Sequence, residues 1–193
     1  MNRVVIYMLV ILAFSLGCSD EENFIPKPKS YFRIDFPAKS YQGNKEKCNS
    51  RFEIPTYAYI QNKKGPREGV CFQNVVFPYY KASIYCTYLE LDSNLFEHTE
   101  EYRNKAFEHQ YRAQAIDEQL FINEEERVFG TTFDIKGDVA CNYIFYLTDS
   151  VDNFFAGSVF FEVIPNYDSL QPVLEFVKED IQHLIETFKW ETK

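Results

Sequence analysis

Glycine and proline are scarce in this chain, seven and eight among 193 residues. That scarcity excludes a collagen-like or low-complexity architecture for most of its length. Positive charge is also short: 20 lysines and arginines stand against 29 aspartates and glutamates, a net charge of −9. So acidic a surface repels phosphate backbones, which excludes nucleic acid as an expected partner, and it repels anionic lipid head groups as well. The signatures of common catalysis are missing too. There is no C-x-x-C, H-E-x-x-H, G-x-S-x-G or glycine-rich phosphate loop. Thiol exchange, zinc hydrolysis, a nucleophile elbow and a phosphate cradle therefore lose their usual carriers. Long apolar runs are limited to one, at residues 4–16; later runs are interrupted by polar residues.

That single run of 13 residues follows Arg3. As a helix it is too short to span ~30 Å of hydrocarbon, but it suits the core of a signal peptide. Small Gly17 then precedes Cys18, as cleavage followed by thioether lipidation requires. Ser15 stands where a lipobox prefers leucine, with Leu16 next to it. Residues 1–17 are thus expected to be a lipoprotein signal peptide, and Cys18 the lipid anchor. A diacylglyceryl cysteine with palmitate-class chains places two acyl chains at one residue. Each buried methylene contributes ~0.8 kcal/mol, enough together for stable attachment. Residues 18–30 then form a tether: acidic Ser19-Asp20-Glu21-Glu22, followed by Pro26-Lys27-Pro28-Lys29, which favours a stiff, extended chain.

From residue 31 onward, period-two stretches dominate. Strands are expected at 31–36, stopped by Pro37, and at 52–60, where Pro55 implies an edge or bulge. A third runs through 81–91, with Ala82, Ile84, Cys86 and Tyr88 on one face. The runs 129–135, 139–147 and 157–164 follow as an antiparallel meander, with Gly137-Asp138 turning between the first two. A helix is expected over 95–116, with Leu95, Tyr102, Ala106, His109, Ala113 and Ile116 on its apolar stripe. A second helix starts near Asp168 as cap, tolerates Pro172 in its first turn, and buries Leu170, Val173, Val177, Ile181, Leu184 and Phe188. The reading is one α+β domain, residues 31–193. It has a mostly antiparallel sheet of about five to seven strands and two main helices, on opposite sides or both on one. This order is similar to the PsbP-like sandwich, a likeness of fold that carries no function.

Four cysteines remain besides Cys18. Cys48 and Cys71 sit in polar, loop-like flanks and are the favoured disulfide in an oxidising compartment. Cys86 and Cys141 lie on apolar strand faces, as a second bridge or as two buried thiols. His98 and His109 are eleven residues apart, about 16 Å along a helix axis, too far to share one metal ion. His109 reads as a core histidine, and His183 as part of the last helix's polar face. The acidic clusters 97–101 and 124–126 lack calcium-loop spacing and read as solvated surface. No catalytic residue, metal or cofactor is expected. Phe96, Phe107 and Tyr111 form a second set of large residues turned away from the core stripe. Either the irregular segment 45–69 covers them, the favoured reading, or a partner protein does.

Several blocks together resemble the gliding motility lipoprotein GldD family. They are Pro26-Lys27-Pro28-Lys29 leading into Tyr31-Phe32-Arg33-Ile34-Asp35, and Ile116-Asp117-Glu118-Gln119-Leu120-Phe121-Ile122. Phe145-Tyr146-Leu147-Thr148-Asp149-Ser150 follows, then Glu179-Asp180-Ile181 with Leu184-Ile185-Glu186-Thr187-Phe188. The resemblance implies a non-catalytic role in gliding motility and the linked type IX secretion machinery, through contacts with other envelope proteins. It carries over only Cys18 as a defined functional position. The acidic residues after Cys18 resemble a surface-export signal of such bacteria, and read equally well as a charged spacer. Ser19 directly after Cys18 favours the outer over the inner membrane. The alternative is an envelope lipoprotein that binds a small ligand in a cleft of the sheet.

Overall fold

The computed structural model describes residues 33–44 and 48–191. The leader, Cys18, the 18–30 tether and the first two residues of the expected first strand lie outside the described residues. In chain order the strands are β1 (Tyr41–Gly43), β2 (Ser50–Arg51), β3 (Glu53–Pro55), β4 (Tyr59–Lys64), β5 (Val70–Phe77) and β6 (Ala82–Glu90). Helix α1 (Leu95–Phe107) follows, then β7 (Ala113–Asn123), β8 (Val128–Gly137), β9 (Cys141–Thr148) and β10 (Asn153–Phe161). Helix α2 (Tyr167–Glu186) and β11 (Lys189–Trp190) close the chain.

Seven of these strands make one antiparallel sheet in the order β4-β5-β6-β10-β9-β8-β7. Period-two alternation splits its side chains between two faces, and each face receives one helix. On one side Ile84, Cys86, Phe145, Leu147 and Phe155 pack against Val177, Ile181 and Leu184 of α2. On the other, Ile135, Cys141, Ile144 and Phe154 pack against Tyr102 and Ala106 of α1. Each large side chain so buried contributes about 1.5–3 kcal/mol. Gly157 of β10 lies between Cys86 and Phe145 in register. A Cβ there would come within 2.4 Å of the Phe145 ring, so the missing side chain is what lets that ring settle.

The expected meander is present as β8-β9-β10, and the second helix carries the expected apolar face. Elsewhere the structure corrects the expectation. Residues 33–40 form no strand; they run as an irregular strap whose Phe36 stacks on Phe176 of α2 at 4.4 Å. With Pro37 lacking an N–H, the segment packs on a helix rather than joining a ladder. The expected strand 52–60 is broken at Pro55 into β3, a turn at Thr56 and Tyr57, and β4. No strand was expected over 70–77, where polar Gln73 and Asn74 obscure the alternation; both are buried in β5. The first helix ends at Phe107, not 116. A 3-10 turn, Glu108–Tyr111, leads into β7, where Ile116 pairs in register with Ile135. The closing strand begins at Asn153 rather than 157. The cap of α2 is Asn166, which accepts the Ser169 N–H through Oδ1 at 3.1 Å, and Asp168 sits in the first turn instead. Among the described residues no helix is long and apolar enough to cross a membrane.

Candidate functional site

Helix α2 carries a carboxylate in an apolar surround. Asp180 is 1% exposed, which is costly for a charge unless it is paired and hydrogen-bonded. Its partners come from the segment that leads out toward the tether and from the turn between β3 and β4. Lys39 Nζ donates to Asp180 Oδ1 at 2.8 Å and to the Phe176 carbonyl at 2.6 Å. Tyr41 Oη donates to Oδ1 at 3.1 Å and Tyr57 Oη to Oδ2 at 2.6 Å. The Lys39 ammonium also sits 3.5 Å from the centre of the Phe176 ring, a cation–π contact. Burial, then the charge of Asp180, pushes the Tyr41 phenol up to about 12. Burial and the hydrogen bond to Asp180 raise Tyr57 further. Both phenols therefore stay protonated donors at neutral pH. The arrangement is a clasp: Lys39 and Tyr41 from the N-terminal segment and Tyr57 from the turn before β4 close on one helix carboxylate.

His183, expected on the polar face of α2, instead extends this attachment. Its Nε2 lies 2.7 Å from Glu53 Oε2 and its ring stacks on Tyr41 at 3.6 Å. Sequence reasoning missed the clasp because nothing in residues 36–41 signals a partner about 140 positions away; the available clue was a lone Asp180 on an otherwise apolar helix face.

Cys48 and Cys71 are joined as a disulfide, with Cα atoms 5.5 Å apart. Cys71 lies in β5, opposite Tyr88, not in a loop. Next to the bridge, Asn49 donates to Tyr88 Oη (3.1 Å), Tyr88 donates to Asn153 Oδ1 (2.6 Å), and Asn153 Nδ2 donates to Asp149 Oδ2 (2.6 Å). Asp149 Oδ1 also accepts N–H groups of Val151, Asp152 and Asn153 at 2.9–3.0 Å. Burial works against its charge, but these hydrogen bonds win and hold its carboxyl below the usual range. An open hollow of about 600 Å³ lies over this chain, walled by Tyr88, Glu90, Arg127, Asp152 and Trp190. Its lining is mostly polar.

Cys86 and Cys141 are free and buried, in the two separate core clusters on opposite faces of the sheet. Of the two readings left open, the buried thiols are the one observed. Among the described residues no group of three or more His, Cys, Asp or Glu is placed to hold a metal ion. His98 and His109 no longer share a helix, since His109 falls in the 3-10 turn. It is half-buried, and burial lowers its pKa. His98 lies against Phe154 at 5.5 Å.

The proposed outward set on the first helix separates. Phe107 is half-buried, edge-on to Phe133 at 6.5 Å, with the Arg103 guanidinium over its ring. It packs against the α1-side core cluster rather than facing outward. Phe96 is 76% and Tyr111 90% exposed. Among the described residues segment 45–69 covers neither: its Phe52, Ile54 and Ala58 join the α2-side core on the opposite face.

A family model described as gliding motility lipoprotein GldD matches residues 21–190. A search of solved structures finds the solution structure of the cyanobacterial PsbP protein (CyanoP) from Synechocystis sp. PCC 6803. The TM-score is 0.50 at 11% identity, over 82% of this chain and 97% of that one. At that identity the likeness speaks for the α+β sandwich alone. No curated protein matches the sequence.

Proposed function

Because the chain belongs to the gliding motility lipoprotein GldD family, we propose that it is a lipid-anchored component of the cell envelope required for gliding motility and the linked type IX secretion machinery. It acts through protein–protein contacts rather than catalysis. The observation that carries this reading is the family match over residues 21–190, which begins three positions after Cys18. The clasp supports it: the segment nearest the tether is gripped by Lys39, Tyr41 and Asp180, so a domain moored by its N-terminus is held through its own core. Lipid attachment confines the domain to two dimensions and raises its effective concentration toward membrane-embedded partners. Ser19 favours the outer membrane as the site of mooring.

The test is Cys18→Ser, together with deletion of the gene. The variant is expected to leave the membrane fraction, and both strains to lose colony spreading and secretion together. A Cys18→Ser protein that still matures, fractionates with membranes and supports spreading overturns the reading. The small-ligand alternative calls for a deep enclosed pocket. The hollow over Tyr88 is open and polar-walled, and does not favour it.

A further inference from the structure

The two edges of the seven-stranded sheet are built differently. At one end β4 is short, six residues, carries Lys63 and Lys64, and runs into Gly65-Pro66. Short length, lysine and proline are the usual means of keeping a free edge from pairing with other chains. At the other end β7 spans eleven residues and, after an irregularity in register between Ala113 and Ala115, pairs with β8 continuously from Ala115 to Asn123. Among the described residues nothing pairs with its outer side. It holds no proline, lysine or arginine.

Its side chains are as unguarded as its backbone. Leu120 is 78% and Ile122 64% exposed. They share one face by alternation, and Phe129 of β8 stands beside Ile122 in register. Acidic residues bracket this apolar pair: Glu118 precedes it, and exposed Glu124 and Glu125 follow at the turn. At the start of the strand the acids are already paired, Glu118 with Arg103 and Asp117 with Lys136, so the acidic charge left for a partner is that of Glu124 and Glu125 at the turn. What would complement the edge is therefore apolar along the pair and positive at the turn end.

The geometry points to β7 as a docking edge, on which an extended segment of a protein partner, basic–x–apolar–x–apolar, adds antiparallel as an eighth strand with its basic end beside the turn. Main-chain hydrogen bonds supply affinity in such additions, and alternate side chains supply register. A second copy of this chain is the poorer occupant. Its β7 is equally acidic, and a net charge of −9 on each molecule opposes the approach. An anionic bilayer is disfavoured on the same ground. The inference deepens the contact reading above and rests on it for its biological sense.

The full mature lipoprotein in neutral detergent micelles is titrated, by fluorescence anisotropy, with a labelled peptide Lys-Thr-Val-Thr-Val-Thr-Thr. Two control peptides replace the lysine by glutamate or the central threonine by proline. Saturable binding of the lysine peptide alone, weakened by salt and at least about tenfold by Leu120→Lys, supports the assignment. Leu120 is exposed, so this variant keeps the circular dichroism of the parent. Equal binding of the glutamate or proline peptide, or no loss in Leu120→Lys, overturns it. So does a dimer in sedimentation that Leu120→Lys dissolves, since the occupant is then a second copy. Failure here with Cys18 still required for spreading sinks the docking edge alone; spreading without Cys18 sinks the functional reading whatever the peptide does.

Discussion

Cys86 and Cys141 occupy equivalent-looking positions on alternating strands, yet one faces α2 and the other α1. The reversal comes from an irregularity in the β9–β10 register next to Cys141, between Val159 and Phe160. A sheet thickness of backbone separates the two sulfurs, so no second bridge can form. Burial raises both thiols, Cys141 to about 12, and a thiol held protonated is a poor nucleophile. A thiol reagent at pH 8 is therefore expected to label neither cysteine in the native protein and both in guanidinium chloride. Labelling of either under native conditions contradicts the burial. The clasp carries its own pH signature. The Tyr41 phenol moves from an ordinary 10.0 to about 12 on folding. Its contribution is full below pH ~10 and is lost as pH rises through about 12, because above ~10 only the unfolded chain releases the proton. Urea midpoints measured from pH 9 to 11.5 are expected to fall, and Tyr41→Phe to flatten that fall; an unchanged slope argues against the clasp.

At the scale of elements, the departures from expectation cluster where local pattern and tertiary pairing disagree. His109, Ala113 and Ile116 continue the stripe of α1 at helical spacing, yet residues from Ala113 onward form β7. Pairing with the whole of β8 outweighs a helical continuation whose outer face would have held no further core. Residues 33–36 alternate as a strand should, but Phe36 finds a stacked ring on α2 instead. Strand β5 breaks its alternation with Gln73 and Asn74, which are buried; Gln73 accepts a hydrogen bond from Ser50 Oγ at 3.0 Å. The disulfide ties this strand to the turn before β2. With its cysteines 23 positions apart, it should stabilise by about 3 kcal/mol in the chain-entropy model. Cys71→Ser is expected to lower the unfolding free energy by about that amount in urea, with circular dichroism otherwise unchanged. A loss under ~0.5 kcal/mol would mean that the sheet edge holds β4 and β5 in place unaided.

For the molecule as a whole, the chain order of strands, helix, meander and closing helix is legible in the sequence, and so is membership of the GldD family. Both rest on long-range regularities that survive local error: periodic burial in β6, β8, β9 and α2, and collinear blocks from the tether to the last helix. The expected leader and the Cys18 anchor are likewise readings of sequence, since they rest on one apolar run and the cysteine that follows it. Which helix covers which face, where Asp180 finds its three donors, and which sheet edge stands open were decided only by tertiary structure. Lys39 and Asp180 are 141 residues apart, and an edge is defined by the strand that is not beside it. Neither fact can be carried by a local run of amino acids, because both depend on where the packed sheet brings distant segments together.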